Sequence, residues 1–381
     1  MAFADLTLMQ DKKNSKVLFY PYIPKVAWKA IKERLSTRWI GEGPMVKLFE
    51  KTFSKIFLQR KKCIAVGSGT DALHLAYILA GVKKNDEVIT SVFTCTATNI
   101  PLLYIGAKIK FADIDPNTMN ICPNSIEKLI TKKTKAISIV HYGGVSCDME
   151  KINKIAKKYK IKVIEDAAQA LGGKYKDKKI GNISDFTVFS FQAIKHITTG
   201  DGGILAIKDQ KLIKKAKRLR WFGIDREKKQ KGIWENDIKE IGFKYQMTDL
   251  GATIGYHSLL EFKKIINHRK KIYRIYYNTL KKNKKIQCMT SKNIDEDAAW
   301  LFTIALEKKD FLQKQLRKLN IETNQVHFRN DRYTIFKKYA LRSKFKVMDS
   351  LENKYLVLPI HHKITLSNAK KIADHINKII N

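Results

Sequence analysis

Short apolar runs alternate with amphipathic stretches between residues 60 and 207. In the intervening stretches, apolar residues recur at the three- and four-residue spacing of one helix face. Strand–helix alternation of this kind predicts an α/β domain with a largely parallel sheet, whose ligands bind at the carboxyl ends of the strands. We predict helices at 70–80, 96–104 and 149–159, and strands at 63–66, 87–90, 108–112, 136–141, 162–164, 185–191 and 203–207.

The pattern changes near residue 259. Beyond it we predict a long helix at 262–282, a strand at 301–306, a helix at 310–319 and a final helix from about residue 366. The sequence therefore predicts two domains. Residues 1–258 form the large one, with the N-terminal segment included, and residues 259–381 form a smaller α+β domain.

Composition excludes several classes of protein. The 381 residues are 44% hydrophobic and 29% charged, which is ordinary for a globular chain. Five scattered cysteines without a C-x-x-C pair predict neither a disulfide framework nor a metal site, and they favour a reducing compartment. The N-terminus has no basic start leading into an apolar run, and no stretch approaches ~18 apolar residues. We therefore expect a cytoplasmic protein that does not enter a membrane.

The net charge of +38 raises the question of an anionic partner, since the chain has 74 Lys and Arg but only 36 Asp and Glu. Only 12 of the basic residues are arginines, and the 62 lysines are spread along the whole chain. Specific nucleic-acid binding relies on arginine forks and clustered basic faces, so we predict no nucleic-acid partner. A positive field of this size still favours a phosphorylated substrate.

The first segment with candidate chemistry is Gly67-Ser68-Gly69-Thr70, between a predicted strand and a predicted helix. Glycine allows a ligand to approach the backbone, and the free N–H groups of a helix N-terminus favour a phosphate. A glycine turn before a helix is also common without any ligand.

Glu165 and Asp166 form a second candidate, because they end an apolar strand. A buried acid needs a partner, and a protonated pyridine nitrogen of a cofactor would supply one. The alternative for Asp166 is a helix N-cap.

Lys195 forms the third, since it follows a buried strand in a mostly apolar segment. A desolvated lysine has a lowered pKa and can form a Schiff base, whereas a surface lysine only extends its stem over apolar neighbours. Ser190, five residues earlier, could donate its hydroxyl to a phosphate. A fourth segment, 242–249, is predicted to be a loop with a helix N-cap at Thr248 or Asp249.

Taken in order, these segments resemble the DegT/DnrJ family of sugar-nucleotide aminotransferases. The resemblance is most specific in I-E-D-A-A-Q-A at 164–170 and F-S-F-Q-A-I-K-H-I-T-T-G-D-G-G at 189–203, and it extends from W-I-G-E-G-P at 39–44 to L-P-I-H at 358–361. It implies a pyridoxal-phosphate-dependent transferase of fold type I. Such a fold has a mostly parallel seven-stranded sheet with helices on both faces, plus a smaller C-terminal α+β domain.

The resemblance also implies residue roles. Lys195 resembles the internal-aldimine lysine that also moves the proton, and Asp166 resembles the carboxylate that pairs with the pyridinium nitrogen. Gln169 corresponds to the contact of the ring hydroxyl. The phosphate contacts correspond to the backbone of Gly69 and Thr70 and the hydroxyl of Ser190.

Two positions depart from the family pattern. Lys244 stands where many relatives have an asparagine that reaches the cofactor phosphate from the neighbouring subunit, so the resemblance implies a homodimer with shared sites. Lys244 could replace that contact or reach the substrate diphosphate. Cys95 aligns with an aromatic residue that often stacks on the pyridine ring, so stacking is either weaker or supplied by Phe93.

The polar segment 327–332 corresponds to the sugar-nucleotide site of relatives, so His327, Arg329 and Arg332 are the predicted substrate contacts, with a surface loop as the alternative. The reaction implied is transfer of an amino group, with glutamate as the expected donor, to a nucleotide-linked 4-keto-6-deoxyhexose. The alternatives are C3 amination, a sugar 3-dehydratase, which carries His where Lys195 stands, and an inactive regulatory relative.

Overall fold

The computed structural model describes residues 16–235, 237–341 and 343–381. The twelve strands of these residues are β1 Cys63–Val66, β2 Glu87–Ser91, β3 Lys108–Ala112, β4 Thr134–Val140, β5 Lys162–Asp166, β6 Lys174–Tyr175, β7 Lys178–Lys179, β8 Phe186–Ser190, β9 Gly203–Ile207, β10 Gln287–Cys288, β11 Phe302–Ala305 and β12 Tyr355–Leu358. Their fourteen α-helices are α1 Lys25–Leu35, α2 Pro44–Phe57, α3 Gly69–Leu79, α4 Thr96–Ile105, α5 Pro123–Leu129, α6 Met149–Tyr159, α7 Ile213–Arg220, α8 Arg226–Gln230, α9 Asp249–Leu260, α10 Phe262–Leu280, α11 Lys309–Lys318, α12 Thr334–Lys337, α13 Lys346–Leu351 and α14 Leu366–Ile380.

Seven strands form one sheet in the order β1-β9-β8-β5-β4-β2-β3. Strand β9 runs antiparallel to both of its neighbours, and all other pairs in this sheet are parallel. The predicted α/β class and the mostly parallel seven-stranded sheet are therefore confirmed. Because β9 is reversed, β1 and β8 point the same way, and their carboxyl ends lie at the same edge as that of β5.

Both faces of this sheet are covered, as the resemblance implied. Consecutive residues of one strand belong to different apolar clusters: Val88 and Ile164 pack into one cluster, while Ile89 and Val163 pack into another. Side chains alternate between the faces of a strand, so two clusters on one strand mean two buried faces. This double burial explains why the strands read as continuous apolar runs.

The C-terminal part contains a second, three-stranded sheet, β10-β11-β12, with both pairs antiparallel. Helices α10, α11 and α14 pack on it through a separate apolar cluster. The backbone of Lys16 pairs with residues 320 and 322, so the N-terminal segment lies against this part of the chain. The domain boundary at 258/259 stays a prediction, and the first fifteen residues of the predicted large domain lie outside the described residues.

Candidate active site

Several of the predicted site residues meet where three strands end. Asp166 is the last residue of β5 and Ser190 the last of β8, and Gly67 follows the end of β1. Gly203 pairs with both Val66 and Ser190, which holds the ends of β1 and β8 on either side of the start of β9. Tertiary pairing therefore joins segments that are about 100 residues apart in the sequence.

Gly69 and Ser190 form a close backbone approach. A Cβ atom built on Gly69 would lie 2.9 Å from the Cβ of Ser190. Ser68 caps α3, its hydroxyl accepting the N–H of Asp71 at 3.0 Å, and Thr70 is half-buried in the first turn. The first backbone N–H groups of α3 and the Ser190 hydroxyl are thus close together, a donor set that suits a phosphate. A pyridoxal phosphate group fits this cradle.

We expect Gly69→Ala to weaken cofactor binding, because the added methyl group would push Ser190 out of the cradle. Roughly a tenfold loss corresponds to one charge-assisted hydrogen bond. The dissociation constant of pyridoxal phosphate, from titration of the apoenzyme, measures the effect. Gly41→Ala is the matched control, since a Cβ there meets nothing within 4 Å. Equal affinity of the two variants would contradict the phosphate cradle.

The Asp166 carboxylate is buried with hydrogen-bond donors but without a cationic partner. The Thr98 hydroxyl donates to Oδ2 at 2.7 Å, and the Ala168 N–H donates to Oδ1 at 3.0 Å. Burial raises the pKa of Asp166, and the Thr98 and Ala168 donors, followed by the charge of Lys195, oppose that rise. Among the described residues, no basic side chain comes within ion-pair distance of this carboxylate. The arrangement suits a cationic ring nitrogen, whose charge would complete the pair.

Lys195 lies in the apolar setting that its sequence predicted. Its Nζ is 4.0 Å from the centre of the Trp300 ring, and the Trp300 indole N–H donates to the carbonyl of Ile194 at 3.1 Å. Burial lowers the pKa of Lys195 to about 8, although the nearby Cys95 and Asp166 act in the opposite direction. A much larger fraction of this amine is therefore neutral at pH 7 than of a solvated lysine, which makes it a usable nucleophile and base.

Gln169 and His327 hold each other in one orientation. The Gly143 N–H donates to Gln169 Oε1 at 2.7 Å, so the amide nitrogen of Gln169 faces His327 Nε2 at 2.8 Å as a donor. Burial, followed by the charge of Lys195, lowers the pKa of His327 to about 3, so the ring is neutral. His327 therefore accepts a hydrogen bond at Nε2 and keeps its proton on Nδ1.

Cys95 is close enough to Lys195 to influence its pKa, and it takes the N-cap position of α4 without a side-chain cap bond. Phe93 is fully buried, with its ring edge-on to Tyr142 and Tyr355 at centroid distances of 4.9 and 5.2 Å. These contacts make Phe93 part of the core that supports the site.

Lys244 lies outside this cluster. Its side chain is exposed, and its Nζ is 3.7 Å from the centre of the Trp221 ring. The backbones of Lys244 and Trp221 also form an isolated antiparallel β-bridge. The predicted N-cap of the next helix is confirmed as Thr248, whose hydroxyl accepts the Gly251 N–H at 3.1 Å. Asp249 instead accepts three N–H groups at the start of α2.

Arg329 was predicted to contact the substrate, but its guanidinium group is buried and already paired with carboxylates of this chain. Its side chain is 2% exposed and forms ion pairs with Asp331, Asp349 and Glu352 at 2.6 to 2.8 Å. Although burial opposes it, the hydrogen bonds to these carboxylates and their charges raise the pKa of Arg329. With its donors occupied in this way, Arg329 fixes the segment that carries His327. Arg332 is exposed and reaches Glu352 at 3.2 Å.

Three supporting contacts were not predicted from the sequence: Thr98 on Asp166, Trp300 under Lys195, and a His141–Glu165 pair behind β5. In that pair the Cys147 N–H donates to His141 Nδ1, which leaves Nε2–H to donate to Glu165 at 2.9 Å. Both side chains are fully buried. The glutamate before Asp166 was visible in the sequence, but its partner lies 24 residues away, so no local spacing indicated the pair.

Similarity to known proteins agrees with this geometry. The model of the DegT/DnrJ/EryC1/StrS aminotransferase family matches residues 21–377. The chain is 32% identical over 361 residues to the UDP-4-amino-4,6-dideoxy-N-acetyl-beta-L-altrosamine transaminase of Campylobacter jejuni, covering 92% of this chain and 93% of the relative. It is 34% identical over 305 residues to the GDP-perosamine synthase of Caulobacter vibrioides, covering 77% and 79%.

Solved structures agree as well. The putative sugar aminotransferase Spr1654 of Streptococcus pneumoniae is 26% identical in both its PLP and PMP forms, with TM-scores of 0.88 and 0.89. The PLP form is matched over 96% of this chain and 98% of that one, and the PMP form over 95% and 98%. The cofactor of this protein is pyridoxal 5'-phosphate, which its phosphate cradle and unpaired buried carboxylate fit. The chain is an aminotransferase and belongs to the DegT/DnrJ/EryC1/StrS family.

Proposed function

We propose that the enzyme transfers an amino group from glutamate to C4 of a nucleotide-linked 4-keto-6-deoxyhexose. The observation that carries the proposal is the convergence of Lys195, Asp166 and the Gly69–Ser190 cradle at one sheet edge. Two relatives are named for nucleotide-linked sugars, and one name specifies a 4-amino-4,6-dideoxy sugar. A net charge of +38 suits a diphosphate substrate.

Within this proposal, the chain's own residues divide the work. The Gly69 and Thr70 backbone and the Ser190 hydroxyl anchor the phosphate, and Asp166 and Gln169 orient the ring. When bound, pyridoxal phosphate supplies an electron sink that weakens the bond to the α-proton of the amino donor. The Lys195 amine takes up that proton at Nζ and later returns a proton at the sugar carbon. His327 and Arg332 contact the sugar nucleotide.

Dehydration of the sugar is not favoured over transamination. The sugar 3-dehydratases that this chain resembles carry a histidine at the position of Lys195. The neighbouring His196 does not serve as a substitute, because it is buried and its Nε2 lies 2.7 Å from the Ala298 carbonyl. Burial lowers its pKa well below the usual range, so it is a neutral structural group.

Incubation with glutamate and a panel of UDP-, dTDP- and GDP-linked keto sugars tests the substrate. We expect 2-oxoglutarate to form with at least one 4-keto-6-deoxy sugar. The 3-keto isomers are the matched comparison, and faster turnover of these would move the amination to C3. If no keto sugar accepts the amine and an ordinary 2-oxo acid does so efficiently, the sugar proposal is wrong while the aminotransferase assignment stands.

We also propose a homodimer in which Lys244 acts at the partner's site. The loop before Lys244 exposes large apolar side chains, among them Trp234 at 71% and Ile241 at 84%. Exposed apolar side chains of this size are typical of a surface that contacts another protein.

All five cysteines are free, consistent with a cytoplasmic enzyme. No helix in the described ranges has both the length and the apolar character required to cross a bilayer.

Mixing two inactive variants tests the shared site. Lys195→Ala and Lys244→Glu chains, exchanged at equal amounts, should recover about a quarter of wild-type activity, because half of the dimers are mixed and each mixed dimer has one intact site. If Lys244 acts within its own chain, both sites of a mixed dimer stay defective. No recovery after exchange has been verified by mass would therefore contradict the shared site.

A further inference from the structure

A cavity of about 510 Å³ lies beside α2, away from the cofactor cradle. Lys62 and Cys63 line it at the amino end of β1, whereas Gly67 and Gly69 follow the carboxyl end of that strand. The two ends of β1 belong to opposite edges of the sheet. The cavity is therefore distinct from the active site. The residues that line it are Lys47, Glu50, Lys51, Ser54, Lys55, Arg60, Lys62, Cys63, Ile213 and Lys217.

The basic residues of this cavity have few carboxylates to neutralise them. Lys47, Lys51 and Lys55 follow one another at four-residue spacing on α2, where like charges repel and destabilise a helix. Across the described chain, no carboxylate lies within ion-pair distance of Lys51, Lys55, Arg60 or Lys62. Lysines on other helices do find such partners, as Lys151 does with Asp148 at 3.0 Å.

The one acid that lines the cavity is already engaged. Glu50 Oε1 accepts hydrogen bonds from Arg220 at 2.9 Å and from the Ala65 N–H at 2.8 Å. Arg220 also pairs with Glu42 at 2.6 Å, and Glu42 pairs with Arg226 at 2.5 Å. Two acids and two arginines thus form a network without net charge, and of its members only Glu50 lines the cavity. Of the basic residues that line the cavity, Lys217 pairs with Glu227. Lys51, Lys55, Arg60 and Lys62 keep an uncompensated positive charge.

We propose that this cavity is a second anion site, which takes a compound with two or more phosphate groups. An oligophosphate would relieve the repulsion along α2, and several lysines can approach its oxygens as point charges. The cavity residues Arg60 and Lys62 would close the site from the β1 side. The inference is independent of the sugar substrate proposed above.

Calorimetric titration of the holoenzyme with inorganic diphosphate tests the site. We expect saturable binding of one diphosphate per chain that Lys51→Ala/Lys55→Ala weakens by roughly tenfold or more, because two charge-assisted contacts are lost. The matched control is Lys314→Ala/Lys318→Ala, which removes two exposed lysines at the same spacing on α11. That pair should change the affinity less than twofold.

A second measurement separates this site from general attraction to a basic protein. Diphosphate should raise the melting temperature of the wild type and of Lys314→Ala/Lys318→Ala more than sodium chloride of equal ionic strength does. It should raise the melting temperature of Lys51→Ala/Lys55→Ala much less. Both double variants should stay folded, because alanine favours the helix at these exposed positions. Circular dichroism checks this. Equal losses in both double variants, or an affinity unaffected by either, would overturn the proposal.

Discussion

Lys195→Ala is expected to abolish transamination, with a loss in kcat of roughly a thousandfold or more, because the variant lacks both the nucleophile and the proton carrier. The apolar setting over Trp300 lowers the pKa of Lys195 to about 8, so the wild-type amine is available in its neutral form. Single-turnover conversion of glutamate to 2-oxoglutarate measures the loss. Mass spectrometry after borohydride reduction should find the cofactor attached to the wild-type chain alone.

Lys195→Arg is the sharper control. Arginine keeps a cation near Trp300 but stays charged at all accessible pH values, so it neither attacks a carbonyl nor accepts a proton. We expect it to be as inactive as the alanine variant. If arginine restored a substantial part of the rate, Lys195 would contribute charge alone, and its assignment as the catalytic residue would fail.

Asp166→Asn is expected to lower kcat by roughly a hundredfold to a thousandfold while the protein still binds cofactor. The substitution keeps an acceptor for the Ala168 N–H but removes the negative charge that favours a protonated ring nitrogen. Thr98→Val should have a smaller effect of the same kind, since it removes one donor from a carboxylate that remains. Steady-state kinetics and the absorbance of the bound cofactor measure both variants.

Asp148→Asn controls for loss of an acid elsewhere, because Asp148 caps α6 and bonds Lys151 and the Tyr175 hydroxyl, none of which belongs to the active site. It should leave kcat nearly unchanged. An Asp166→Asn enzyme with undiminished kcat would mean that this side chain only caps backbone N–H groups, as the N-cap alternative for its sequence position proposed. The same result would leave the cofactor and the family unaffected, since these rest on the whole chain.

Elements with a strong local pattern were predicted closely. Strands 63–66, 108–112 and 203–207 and the helix at 149–159 have the bounds observed for β1, β3, β9 and α6. Buried strands and amphipathic helices are set by short-range apolar periodicity, which a sequence displays directly. Helices α1 and α2 were not predicted, although α2 buries Phe49, Phe53 and Phe57 along one face.

The sequence by itself determined the chemistry at the strand ends: an acid at 166, a lysine at 195, a serine at 190 and a glycine turn at 67–69. These residues belong to local motifs, and the order of strands and helices implied that they share one edge of the sheet. The family followed from the same motifs, because several of them occur together at fixed spacing.

Only the tertiary structure decided which groups surround these residues. It placed Trp300 beneath Lys195, turned Gln169 toward His327, and surrounded Arg329 with three carboxylates, so that this arginine fixes a segment of the chain. The partners come from distant parts of the chain, and nothing in local spacing encodes them. Burial also has to be known before a pKa can be assigned, because desolvation is the largest cause of the shifts at Lys195, Asp166 and His327.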